Sequence, residues 1–145
     1  MHGVPLNYPR LALAALGAFA AYMAIGGVAF TSGPLRREYM KYPAVYRSQE
    51  SMKGVMPAGM IAMYIAMLML AVLYAMVDRG GSAVAQGACF GALIGAYAVC
   101  SFVIHNHVNL NIGLELTIGQ AIAYFVEWVA SGVVIALIYR PPVAH

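Results

Sequence analysis

Long apolar stretches alternate with short polar ones, and the spacing of the charges marks four apolar segments: Leu11 to Thr31, Val55 to Val77, Ala83 to Ile104, and Thr117 to Tyr139. Each holds roughly 21 to 23 residues. At about 1.5 Å per residue that length crosses a hydrocarbon core of about 30 Å, where a helix satisfies its own backbone groups. The pattern predicts an all-α fold, an integral membrane bundle of four transmembrane helices forming one domain over residues 1–145. The first segment has neither a basic start nor a small-residue cleavage site followed by a polar chain, so it reads as a retained helix rather than a signal peptide.

The connections differ in character. Ser32 to Gly54 is the one substantial polar stretch; Pro34 and Pro43 prevent a single continuous helix through it, and Pro57 interrupts the start of the second span. Arg36, Arg37, Lys41, Arg47 and Lys53 lie there with Tyr39, Tyr42 and Tyr46 among them. That mixture fits a segment in the headgroup layer anchored by aromatic rings, and equally a solvated loop. Asp78-Arg79-Gly80-Gly81-Ser82 reads as a tight turn, and His105 to Glu115 has no basic residue. Five Lys or Arg on the side of the first and third connections, against Arg10, Arg79 and Arg140 on the other, favour a cytoplasmic first loop.

Faces of the predicted helices carry the next information. Gly87, Gly91 and Gly95 repeat every four residues on the third, clearing a stripe where another backbone can approach. Ala14, Gly17 and Ala21 form a similar small face on the first helix, so the two stripes are candidates to cross, or to receive a partner protein. Met52, Met56, Met60, Met63 and Met67 fall within an arc of about 80° on the second. Thioethers on one face suit Cu(I), but adaptable apolar packing against a neighbouring helix, lipid or pigment is the preferred reading.

Glu127 is the most informative residue, because a carboxylate in the middle of a span must be protonated, paired or facing water. Gln120, Tyr124, Glu127 and Ser131 lie within an arc of about 60° and make a polar stripe on the fourth helix. Tyr97, Ser101 and His105, spaced by four on the third, are the expected partners. The preferred reading is an interhelical hydrogen-bond network with Glu127 neutral. A proton, cation or substrate site, and contact with a partner subunit or cofactor, are the alternatives.

Only 9% of the residues are charged and 63% are hydrophobic, with mean hydropathy +0.78. Soluble proteins average about 25% charged residues, so the composition agrees with a membrane location. The net charge of +3 comes from scattered basic residues, which argues against nucleic-acid binding. Cys89 and Cys100 are too far apart along one helix to pair and are expected to be buried as small apolar residues. His105-Asn106-His107 ends the third helix; joint metal ligation would need an unwound backbone and a third ligand such as Glu115, so an interfacial polar cap is preferred. No nucleophile elbow, zinc-protease helix or phosphate-binding loop is present, so no catalytic residue or metal site is expected, and the sequence leaves any cofactor unknown.

Gly26-Gly27 leading to Gly33-Pro34-Leu35, then GACFGALIGAYAVCSFVIHN from Gly87, then FVEWVASGVVIALI from Phe125, resemble small four-helix bacterial membrane proteins catalogued as domains of unknown function. The likeness runs from about Gly26 to Ile138 and departs at Val28-Ala29-Phe30, where those families often have a tryptophan. It implies the fold and no activity. Packing stripes outnumber chemical groups, so the expected role is a non-catalytic accessory or assembly subunit of a larger bacterial inner-membrane complex. Its expected partners are membrane lipids and other transmembrane subunits. The alternative is a small oligomeric transporter or channel for a proton, cation or small solute, lined by Glu127, Tyr124 and His105.

Overall fold

Four spans fold as helices that begin and end where local chemistry allows. The structure is a computed structural model and describes residues 6–139. The first span, α1 (Tyr8–Thr31), starts three residues before the expected limit because Asn7 accepts a bond from the Arg10 amide and Pro9 sits in the opening turn. After Ser32 the chain turns at Gly33, whose φ of +77° suits glycine, into the short helix α2 (Gly33–Met40) with Pro34 in its first turn. The second span, α3 (Gln49–Val77), is capped by Ser48 through the Ser51 amide. It begins six residues ahead of the expected Val55 and continues straight through Pro57, a tolerated residue in membrane helices. Gly80 and Gly81, with φ of 76° and 100°, make the tight turn that follows.

The third span is built from α4 (Ala83–Ala98), a π-helical stretch Val99–Ile104, and α5 (His105–Asn109). The Ser101 hydroxyl donates to the Tyr97 carbonyl at 2.7 Å and so competes for that acceptor where the helix widens. Asn109 Nδ2 satisfies the His105 carbonyl at 3.0 Å, which is the polar helix end expected of this sequence. The fourth span is α6 (Leu114–Ile138). All four spans are long and apolar enough to cross a membrane, and no strand occurs among the described residues. The chain is a multi-pass membrane protein of the four-helix, all-α class. Arg140, part of the charge asymmetry, lies outside the described residues.

α6 is the central helix, packed between α4 and α1, and α3 packs on α1. The α4–α6 contact is backbone against backbone. A Cβ on Gly87 would lie 2.7 Å from Val133 Cα, one on Gly91 2.7 Å from Val129 Cα, and one on Gly95 3.3 Å from Phe125 Cα. Gly132 returns the contact from α6, where a Cβ would lie 2.8 Å from Gly91 Cα. The glycine stripe therefore packs as expected, but its partner is α6 and not α1. Gly17 also meets α6, with a would-be Cβ 2.6 Å from Ile138 Cδ1. The expected crossing of the first and third spans is replaced by α6 lying against both.

One end of the bundle is closed by an apolar core: Leu11, Ala14, Ala15 and Ala18 of α1 against Met67, Ala71 and Tyr74 of α3 and Ile135 of α6. At the other end α3 leaves the bundle. Every residue from Gln49 through Ala62 is exposed, so of the methionine stripe Met67 is buried, Met63 packs on the core, and Met52, Met56 and Met60 stand outside it. Cys89 and Cys100 are also exposed on the outer surface, contrary to the burial expected of them. At about 100° per residue, Cys89 lies roughly 200° around α4 from Gly91, which faces α6.

Candidate functional site around Glu127

Glu127 is the fourteenth of 25 residues in α6, at mid-span, and is wholly buried. It fits because Gly26 of α1 has no side chain: a Cβ there would lie 2.9 Å from Glu127 Oε1. The hydroxyl of Tyr22, one turn earlier on α1, is the polar group beside the carboxyl. It is near enough to interact but is not seated in a regular hydrogen bond, and both Glu127 oxygens lack such a partner. Tyr22 is held in place by Trp128, their ring centroids 5.1 Å apart. One turn further along α6, Ser131 Oγ donates to the Ala18 carbonyl of α1 at 3.5 Å.

Toward the open end the same face of α6 carries Tyr124 and Gln120. Gln120 is 2% exposed, and its Nε2 donates to the Tyr39 hydroxyl and, at 3.2 Å, to the Tyr46 hydroxyl; its Oε1 is buried without a partner. Phe30 of α1 bridges the two layers, with its centroid 5.5 Å from Tyr124 and 5.7 Å from Tyr39. Tyr39 and Tyr46 meet edge to face at 4.6 Å. Burial pushes the Tyr39 hydroxyl well above the ordinary tyrosine range.

The first connection is thus tied to α6 by its tyrosines. Tyr42 Oη accepts from the Gly113 amide at 2.8 Å, and Leu35 of α2 sits against Gly119, where a Cβ would lie 2.7 Å from Leu35 Cδ1. Lys41 Nζ pairs with Glu38 at 2.6 Å and reaches Glu115 at 3.5 Å; the Glu38 hydrogen bond holds the lysine pKa up. Beside Tyr39 and Tyr46 a cavity of about 480 Å3 opens between α2, the start of α3, and Phe30 and Tyr124.

The polar stripe Gln120, Tyr124, Glu127 and Ser131 therefore occupies one buried or half-buried face as the spacing indicates. Its expected partners do not meet it. Tyr97 is 72% exposed, and Ser101 and His105 are exposed as well. With Gly95 turned to α6, Tyr97 lies roughly 200° away around α4 and has to point outward. The polar groups and the glycine that do meet the stripe come from α1 and the first connection, Tyr22, Gly26, Tyr39 and Tyr46, while the third span reaches it through Phe102, whose ring stands edge-on to Tyr124 at 5.6 Å. Gly26 carried a signal, a glycine in an apolar helix where close approach is needed, but its partner was not readable. His107, the other histidine of the pair, hydrogen-bonds Thr117 Oγ1 at 2.9 Å. Among the described residues no three or more His, Cys, Asp or Glu side chains are grouped to hold a metal. No protein family, curated protein or solved structure matches this chain.

Proposed function

We propose that this protein is a non-catalytic accessory or assembly subunit of a larger bacterial inner-membrane complex, docking other transmembrane subunits through the free half of α3. The observation that supports this is the exposure of the whole Gln49 to Ala62 stretch, whereas the rest of the helix packs one face, Met67, Ala71 and Tyr74, on the core. Gly54 and Gly59 lie in that stretch with nothing within 4 Å of a would-be Cβ. Small residues let another helix backbone approach in a bilayer, where apolar side chains alone give helices little reason to prefer each other over lipid. In this reading Glu127 is a neutral acid that fixes α6 against α1. A buried carboxylate without a counter-charge costs far more than the acid form.

The test is the composition and mass of the complex extracted in native lipid particles. The expected result is a fixed ratio of this chain to distinct membrane polypeptides, with Gly59→Leu releasing them while the helical content is retained. If Gly59→Leu retains every partner in the same ratio, α3 is not the docking face. The transporter reading draws on the two unpartnered oxygens of Glu127. It is weakened by the outward position of His105 and by the complete burial of the carboxyl.

A further inference from the structure

The cavity between α2 and the start of α3 has a chemistry that the docking of subunits does not use. Its aromatic walls are Phe30, Tyr39, Tyr46 and Tyr124, and Met40 and Met52 add flexible thioethers. Arg36 and Arg47 stand at its edge, and no acidic residue lines it. Among the described residues both ion pairs belong to Lys41, which takes Glu38 and Glu115. Arg47 is in neither, and Arg36 has only a long 3.5 Å bond back to the Thr31 carbonyl. Behind the cavity wall the Gln120 amide hydrogen-bonds the Tyr39 and Tyr46 hydroxyls and holds both rings in place.

Position decides what kind of anion this suits. Phe30, Met52 and Tyr124 belong to spanning helices, whereas Arg36, Tyr39 and Met40 belong to α2 just beyond the end of α1. One cavity therefore runs from an apolar wall supplied by spanning helices, Phe30 and Met52 near their ends and Tyr124 further along α6, to two guanidinium groups that are in no ion pair among the described residues. Its volume of about 480 Å3 lies within the range of ligand pockets. A soluble anion would use the arginines and leave the aromatic wall empty; a neutral lipid would use the wall and leave the arginines without a counter-charge. From these features we infer that the cavity is a binding site for one anionic phospholipid, its phosphate held by Arg36 and Arg47 and the upper part of an acyl chain lying on Phe30, Tyr124 and Met52. Basic pockets between spanning helices recognise such headgroups, and each arginine adds its own increment of affinity.

The experiment is lipid retention by the full chain in detergent micelles, measured by native mass spectrometry after equilibration with phosphatidylglycerol or phosphatidylcholine. The expected result is one retained phosphatidylglycerol and preference for it over phosphatidylcholine. The double variant R36Q/R47Q should weaken retention roughly thirtyfold, from two lost arginine contacts. R37Q, on the same helix but outside the cavity, should bind as the parent does, which separates a site from general attraction to a basic surface. Inorganic phosphate and glycerol phosphate should not displace the lipid at concentrations well above that of the lipid. Equal retention of phosphatidylcholine, unchanged retention in R36Q/R47Q, or an equal loss in R37Q would overturn the inference. Displacement by inorganic phosphate would reassign the cavity to a soluble anion.

Discussion

Gly26 of α1 and Glu127 of α6 occupy one space: a Cβ on Gly26 would fall 2.9 Å from the Glu127 carboxyl oxygen. The glycine is what lets a mid-span carboxyl close against a neighbouring helix. Gly26→Ala should therefore destabilise the bundle by about 1–3 kcal/mol, the usual cost of overfilling a packed contact. In a Glu127→Ala background the same change places its methyl in vacated space, and most of the penalty should vanish. Thermal unfolding of the four proteins in one detergent measures this coupling. Additive effects would mean that the two residues do not share the contact.

Gly91→Leu should separate α4 from α6, because the new side chain would meet the Trp128 and Val129 backbone and not a movable side-chain tip. Leucine is more apolar, so membrane insertion should be unaffected while unfolding occurs at lower temperature. Leu93→Ala, on the lipid-facing side of the same helix, is the control and should change stability little.

Alkaline pH should loosen the first connection. Burial raises the Tyr39 hydroxyl above its ordinary value of 10.0, so the folded chain keeps this proton where the unfolded chain releases it. The unfolded state then binds fewer protons, and stability falls as pH rises past about 10. Tyr39→Phe should make the melting temperature less dependent on pH above that point. An identical pH slope in the variant would show that the Tyr39 hydroxyl is not held neutral by folding.

The four spans were legible because hydrophobic length in a bilayer leaves the backbone one solution, and the glycine stripe was legible because only a close contact requires it. Which helix the stripe meets was not. Spacing fixes which residues share a face but not the neighbour that face receives: it offers Tyr97, Ser101 and His105 to Glu127, although the same glycine stripe turns Tyr97 outward. The partners from the first connection were less readable still. Tyr39 and Tyr46 reach Gln120 across more than 70 residues of sequence, through a loop whose tyrosines equally suit lipid anchoring. The methionine spacing gives the five residues a shared arc but not a shared environment, because α3 leaves the bundle along half of it and only Met63 and Met67 reach the core.

Whether Glu127 is a structural acid within an assembly subunit is tested most directly by the composition of the complex carrying Glu127→Gln, extracted in native lipid particles beside the parent. Glutamine keeps the shape and most of the hydrogen-bonding capacity of a neutral acid. The expected result is the same partners in the same ratio, with unfolding temperature little changed, and Glu127→Leu costing more because it leaves the Tyr22 hydroxyl facing an apolar group. The contradicting result is a chain recovered without other polypeptides, as an oligomer whose reconstituted proton or cation flux disappears in Glu127→Gln while its assembly is intact.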